Sequence, residues 1–326
     1  MKEVERMEPV LNISDLCVGF QVGDKTVNII NHVSLYIEEN EVLGLIGETG
    51  CGKSVTGSAV LRLLPENAVV TGEIDYRGQS LLPMSENEFN RLRGAKIVSV
   101  PQSPSTSLNP MMTVGMQVEE CLTRRPDYNK KAQQVPVRER VREIFERLKL
   151  NERGAVFGKY PCELSGGMCQ RVLVSMGAIT NADLIVVDEP TKAVDWILRA
   201  SVVDVLRKMK DEFRCGMMMI THDIGVARAL SNRIAVMYAG EIVETGDAAQ
   251  VLDHPQHPYT ADLINALPEN GFHVTEGFMP SFEEMPSACR YQDRCAHCVE
   301  ACRSVKPEMH ETEPGHFAYC HRFKGE

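Results

Sequence analysis

The chain has 326 residues, 43% apolar and 25% charged, with a formal net charge of −10; this is enough for one large or two modest globular domains, and the acidic balance argues against general nucleic-acid binding. No apolar run approaches the roughly 20 residues a membrane span needs. The start, Met1-Lys2-Glu3-Val4-Glu5-Arg6, is charged and lacks the apolar core of a secretion signal, so the expectation is a protein that stays in the cytoplasm and can dock on a membrane protein.

From Val10 to about Ile37 apolar and polar residues alternate, as in Val33-Ser34-Leu35-Tyr36-Ile37, which predicts short strands with turns at Gly23-Asp24 and Glu39-Asn40. Phe20 in this stretch suits either stacking on a nucleotide base or a place in the core. The apolar run Val42-Leu43-Gly44-Leu45-Ile46 reads as a buried strand. It leads into Gly47-Glu48-Thr49-Gly50-Cys51-Gly52-Lys53-Ser54, of the form G-x-x-x-x-G-K-S, and a helical pattern from Ser54 through Val55 to Leu64 leads out. Strand, glycine-rich loop and helix together are the context of a phosphate-binding loop. Glycines let the backbone curl so that successive N–H groups point at phosphate oxygens, and the helix adds its positive end. Lys53 would reach the β- and γ-phosphates, and the Ser54 hydroxyl would ligate magnesium.

Thr71 to Gly78 reads as a strand and turn. Ser85 with Glu88 forms a capping box for a short helix to Arg93, and Lys96-Ile97-Val98-Ser99-Val100 is a further strand ended by Pro101-Gln102. Ser103 to Met112 reads as a loop. Two helical segments follow, the clearer with Val137, Val141, Ile144, Phe145 and Leu148 on one face. The stretch to Gly166 thus looks like a helical insertion. In Leu164-Ser165-Gly166-Gly167-Met168-Cys169-Gln170-Arg171 a serine and two glycines open an apolar helix, Val172 to Ile179. That is an anion site, and a second one in a chain with a single phosphate loop needs a phosphate of its own.

Leu184-Ile185-Val186-Val187-Asp188 is a continuous apolar run, as in a parallel strand buried on both faces. Asp188 at its end suits magnesium, and Glu189 beside it could orient or deprotonate the attacking water. A helix over Trp196 to Phe213 and strands at Met217 to Ile220 and Ile234 to Met237 follow, then a turn at Ala239-Gly240-Glu241. Alternating strands and helices predict a parallel α/β sheet. Beyond Val251 the composition shifts to Pro, His and Cys, which marks a separate C-terminal extension. Of the 11 cysteines, Cys289, Cys295, Cys298, Cys302 and Cys320 crowd that end. In a reducing compartment such a cluster is more often a metal site than a disulfide framework.

These motifs, in this order from about Leu11 to Pro268, resemble the ATP-binding subunit of an ABC transporter. Gly47 to Ser54 matches Walker A, Gln102 the Q-loop glutamine, Leu164 to Gln170 the LSGGQ-type signature in an LSGGM form, and Leu184 to Glu189 Walker B. Asp195 matches the D-loop aspartate and His222 the switch histidine. The resemblance implies an α/β fold, a P-loop NTPase (RecA-like) parallel-sheet core with an antiparallel β subdomain and a helical subdomain at about residues 103–168. The ATPase domain would cover residues 8–250 and a cysteine-rich C-terminal extension residues 251–326. It implies ATP hydrolysis with Mg2+ held through Ser54, Gln102 and Asp188, Glu189 as general base and His222 as its orienter and γ-phosphate sensor. It also implies two ATPase subunits, identical or different, stacked head to tail. Ser165, Gly166, Gly167 and Asp195 of one then face ATP on the phosphate loop of the other, which accounts for the second anion site.

Ser103-Pro104-Ser105-Thr106-Ser107-Leu108-Asn109-Pro110 and His257-Pro258-Tyr259-Thr260, with Ala266-Leu267-Pro268, resemble elements of the peptide/nickel importers. That subgroup implies two membrane permease subunits, an extracytoplasmic substrate-binding protein and a place on the cytoplasmic face of the membrane. Cys289, Cys295, Cys302 and Cys320 resemble its terminal motif and imply a 4Fe–4S cluster. Tetrahedral zinc suits the same thiolates, with Cys298 as a replacement ligand or spare thiol and His297, His310, His316 and His321 as further zinc donors. Lys192 and Val194 depart from the family's usual residues before Asp195, and Cys169 stands where arginine is common. Two other readings are a soluble ABC ATPase of translation or DNA repair, against which a single cassette, no heptad run and the acidity argue, and a redox-sensing regulator using the terminal cysteines.

Overall fold

The structure, a computed structural model, describes residues 8–125, 128–129, 135–150, 156–192, 196–213, 215–273 and 275–323. It opens with β1 (Leu11–Val22) and β2 (Lys25–Ile37), turned at Gly23. Both are longer than the short strands the alternation predicts. Each carries one residue of positive φ, Asp15 and His32, where the pattern breaks, and their side chains meet at 2.6 Å across the pair. β3 (Val42–Ile46) is buried throughout and leads to α1 (Lys53–Val60). β4 (Ala68–Tyr76), β5 (Gln79–Ser80) and α2 (Glu86–Leu92) follow, the last opened by the expected Ser85–Glu88 capping box. After β6 (Ile97–Val100) the expected loop contains one helical turn, α3 (Pro104–Ser107). Proline at the first helical position presets the backbone, and Thr106 and Ser107 hydroxyls donate to the Ser103 carbonyl at 3.1 and 2.9 Å.

Next come α4 (Val114–Thr123), α5 (Val137–Arg147), α6 (Gly166–Ala178), β7 (Leu184–Asp188), α7 (Trp196–Phe213), β8 (Gly216–Thr221) and α8 (Ile224–Leu230). The chain ends in β9 (Arg233–Tyr238), β10 (Glu241–Asp247), α9 (Ala248–Asp253), α10 (Pro258–Asn265), α11 (Glu300–Ser304), β11 (Met309–Glu313) and β12 (His316–Tyr319).

Two compact units form. One holds the stretch to Leu11, Ile37–Val42 and Ser80–Met219; the other holds Asn12–Tyr36, Leu43–Gln79 and Ile220–Glu326. In the first, β6 pairs in parallel with β7, from Ile97 opposite Leu184 to Val100 opposite Val187. Val118 of α4, Val141 and Phe145 of α5 and Val172 of α6 bury their side chains fully. Arg171, also buried, donates to the carbonyls of Leu148 and Lys149 at 3.1 and 3.0 Å. A buried guanidinium needs such acceptors, and here they tie α6 to the end of α5.

In the second unit β3 pairs in parallel with β9, and β10 is antiparallel to both β9 and β12. The strand order is β11-β12-β10-β9-β3, and β2-β1-β4-β5 form a further sheet. The expected parallel core pairing is present in β3 with β9, and β10 and the β11–β12 hairpin extend this sheet with antiparallel strands. The C-terminal region, read from composition as separate, instead adds a hairpin beside β10. Its attachment is polar. Glu244 of β10 is fully buried. It accepts the Gln256 and His257 N–H groups, each at 2.8 Å, and the ring of His316 on β12 at 2.7 Å. Three donors offset the cost of burying a carboxylate. Tyr238, Tyr259 and Tyr291 pack beside this network with ring centroids 4.6 to 5.4 Å apart.

His257 lies in the same network as the N-cap of α10, its Nδ1 accepting from Tyr259 N–H. Burial, with a smaller push from Arg322, holds its pKa at about 3, against 6.5 for the free group. Between those values the unfolded chain binds a proton that the folded chain refuses, so stability falls as pH drops through this window. His257→Asn keeps a capping side chain and removes the titration. The expected result, by thermal unfolding from pH 7 to 4, is a flatter acid limb than wild type; parallel limbs would contradict a neutral buried His257.

Candidate functional site

The sharp turn after β3 needs glycine at Gly47. Its φ is +151°, and a Cβ there would lie 2.1 Å from the Met237 carbonyl oxygen. Gly52, at φ +113°, is the N-cap of α1 and supplies no capping side chain. The first N–H groups of that helix therefore have no intrahelical partner and face the loop that opens it. Lys53 is buried and donates to the carbonyls of Gly47 and Glu48, both at 2.8 Å. Its ammonium thus draws the loop around itself, and Ser54 beside it is exposed. The loop is fastened from outside as well. Gly240 N–H, in the turn between β9 and β10, donates to the Cys51 carbonyl at 2.8 Å. Glu48 N–H donates to the Tyr259 hydroxyl at 2.8 Å. Cys51 is buried, which pushes its thiol pKa up against a smaller opposing effect of Lys53. This cradle of glycine backbone, unpaired helix N–H groups and one ammonium fits a nucleotide polyphosphate with its magnesium ion.

Phe20, near the end of β1, is half-buried rather than core. His222 follows β8 and is exposed; the next residue, Asp223, caps α8 by accepting Val226 N–H at 3.1 Å. The phosphate loop, Phe20 and His222 belong to the second unit. Gln102, the signature segment and Asp188-Glu189 belong to the first. Gln102 is half-buried just beyond β6, and Asp188 half-buried at the end of β7. Glu189 is buried with φ +47°, a left-handed conformation that a non-glycine residue adopts at a cost of about 1–3 kcal/mol. Strain of this kind concentrates at functional positions. Ser165 caps α6, its hydroxyl accepting Met168 N–H at 3.4 Å, and Ser165 and Gly166 are exposed. The expected anion site is thus a capped, open helix start. Asp195 lies outside the described residues.

The terminal cysteines share one neighbourhood. Cys289 N–H donates to the Cys302 carbonyl at 3.1 Å. Burial pushes the Cys289 thiol up to about 12, and Cys295, Cys298 and Cys320 also above their ordinary value. Yet among the described residues no three His, Cys, Asp or Glu side chains are grouped to hold a metal ion. The iron–sulfur cluster or zinc thus stays what the resemblance implies, while Cys302, Cys295 and Cys320 lie near enough to Cys289 to act on its thiol. His316 is committed to Glu244, and His321 Nε2 donates to the Val305 carbonyl at 2.9 Å. Each ring pairs through Nε2, which leaves Nδ1 of both without a hydrogen-bond partner among the described residues.

Two groups at the phosphate loop escaped the sequence reading. Tyr259 lay in a stretch noted only as a subgroup mark. Arg294 stands 246 positions from the residue it pairs with, Glu48, a separation that no local pattern reveals.

Residues 30–192 match the ABC transporter family model, and residues 243–302 that of the oligopeptide/dipeptide transporter C-terminal region. The oligopeptide transport ATP-binding protein OppD of Escherichia coli is 36% identical over 97% of this chain and 94% of its own. A probable peptide ABC transporter ATP-binding protein of Sinorhizobium fredii is 33% identical over 99% of this chain and 97% of its own. Among solved structures, a dimeric bacterial ABC transporter cassette covers 73% of this chain and 98% of its own, at 26% identity and a TM-score of 0.64. The same cassette in a post-hydrolysis state bound to ADP and Pi superposes equally well.

Gly47→Ala forces a methyl group against the Met237 carbonyl. Strain of about 1–3 kcal/mol corresponds to a loss of nucleotide affinity of about 5- to 150-fold, read by titration with a fluorescent ATP analogue on protein of unchanged far-ultraviolet circular dichroism. Wild-type affinity would show that binding does not need this loop conformation.

Proposed function

Because the chain belongs to the ATP-hydrolysing subunits of ABC transporters, we propose that it energises import of oligopeptides or dipeptides across the cytoplasmic membrane. The observation that supports the cargo is the match of residues 243–302 to the oligopeptide/dipeptide transporter C-terminal region, together with relatives named for peptides. It favours peptides over nickel as cargo. It also weakens the translation- or repair-factor reading, because that region is a transporter element. No helix among the described residues is long and apolar enough to cross a membrane. The membrane path would come from two permease subunits, fed by a substrate-binding protein on the far side, with this chain docked on their cytoplasmic face.

In this reading Lys53 moves from the Gly47 and Glu48 carbonyls to the β- and γ-phosphates, while the N–H groups from Gly50 through Val55 hold the same oxygens. Ser54, Gln102 and Asp188 would hold Mg2+, which neutralises developing charge on the phosphates. Glu189 takes a proton from the attacking water, and His222 orients it and senses the γ-phosphate. Ser165, Gly166 and Gly167 present the start of α6 to ATP bound on a second ATPase subunit, beside that subunit's phosphate loop. Asp195 would line the same contact, and Phe20 would stack on the base. Contact with the γ-phosphate in the closed pair, lost on hydrolysis, is the differential interaction that drives the cycle. The terminal cysteines take no step in it.

The test is ATP turnover of the complete transporter in lipid, with its binding protein loaded with peptide or with nickel. Peptide alone should stimulate turnover. Glu189→Gln should reduce it by a factor on the order of 100 or more, the scale of a lost general base, while ATP binding persists. Undiminished turnover in that variant would remove Glu189 as the base, and stimulation by nickel alone would overturn the peptide assignment.

A further inference from the structure

An acidic side chain inside a polyphosphate-binding loop is electrostatically adverse, because a carboxylate a few ångströms from phosphate oxygens repels them. Glu48 is that side chain. The structure shows what answers it. Arg294, from the C-terminal region, donates Nη1 to Glu48 Oε2 at 3.0 Å and Nη2 to Oε1 at 2.9 Å. This is the parallel two-bond geometry that only arginine forms with a carboxylate. The Arg294 side chain is nine-tenths buried. It lies 5.7 and 5.4 Å from the ring centroids of Tyr238 and Tyr291, so its position is set by packing as well as charge.

The backbone of the same loop residue is held by the same region. Tyr259 accepts Glu48 N–H, and the side chain of Met279 lies 3.9 Å from where a Cβ on Gly50 would stand. Three residues of the C-terminal region thus bear on the entry limb of the loop, while Ser54 at the start of α1 stays exposed. The ion pair is partly screened on its Glu48 side, which is one-third exposed. Its effect should therefore be of the size of one charge-assisted hydrogen-bonded pair rather than of a deeply buried one.

We propose that Arg294 is a positioning residue for nucleotide binding, which neutralises Glu48 and clamps the entry limb of the phosphate loop in the shape that accepts ATP. The proposal rests on the reading of Gly47–Ser54 as the ATP site. Through it the C-terminal region, matched as a module distinct from the ATPase core, becomes part of the nucleotide site.

The experiment uses the full chain and reads affinity for a fluorescent ATP analogue together with KM and kcat for ATP. Arg294→Ala should raise Kd and KM roughly tenfold, with kcat at saturating ATP within about twofold. The decisive variant is the double substitution Glu48→Gln with Arg294→Ala. With the carboxylate gone there is no repulsion left to neutralise, and affinity should recover most of the loss. A purely structural arginine predicts the opposite, a double variant no better than Arg294→Ala. Arg294→Lys, which keeps the charge but not the fork, should fall between wild type and Arg294→Ala, and it serves if the alanine variant does not fold. Arg303→Ala, which breaks only the exposed pair with Asp293 in the same region, should leave KM unchanged. An unchanged KM in Arg294→Ala, or no recovery in the double variant, overturns the proposal. Wild-type affinity retained in Lys53→Ala would instead overturn the ATP-site reading beneath it.

Discussion

A phosphate-binding loop cannot satisfy its own backbone. To offer N–H groups to a ligand it must leave them unpaired, so its shape has to be imposed by contacts on its other side. Much of the second unit meets that requirement. Lys53 gathers the Gly47 and Glu48 carbonyls, Gly240 in the β9–β10 turn takes the Cys51 carbonyl, and Tyr259 of α10 takes Glu48 N–H. Behind the loop β3 is buried along its whole length, paired with β9. The strand gives a rigid origin, and the hydrogen bonds give the curl.

The C-terminal region is joined to this frame by the pairing of β12 with β10 and by polar contacts around two carboxylates. Glu244 is enclosed by two backbone N–H groups and His316. Glu241 faces Arg290 at 3.2 Å and Lys306 at 3.0 Å, and it also accepts from Asn31. Buried carboxylates are costly to leave unpaired and weak in net stabilisation when paired. Their value is in register, since only one docking of β12 on β10 and of the Arg290 segment on the turn satisfies every group. The three tyrosines then fill the space between. Among the terminal cysteines burial favours the neutral thiol at Cys289, Cys295, Cys298 and Cys320, and the Cys289–Cys302 backbone bond holds the segment.

The strain at Glu189 belongs to the same economy of function over comfort. A left-handed glutamate after a β-strand is paid for by the surrounding fold. The fully buried strand before it, Leu184 to Val187 in parallel pairing with β6, is the rigid element that sustains it.

Local chemistry alone determined a good deal about this protein. The apolar runs at Val42–Ile46 and Leu184–Asp188 became buried strands, Ser85 with Glu88 became a capping box, and Trp196 to Phe213 became a helix. The G-x-x-x-x-G-K-S loop took the glycine-dependent curl its spacing requires. These features depend on neighbours within a few residues, so periodicity and turn chemistry reveal them. Tertiary structure decided what depends on distant partners. The C-terminal hairpin beside β10, the pairing of His316 with Glu244, and the grip of Tyr259 and Arg294 on Glu48 join residues from 72 to 246 positions apart. Such contacts leave no periodic trace, because each is one charge or one hydroxyl whose partner is chosen by the fold and not by the chain around it.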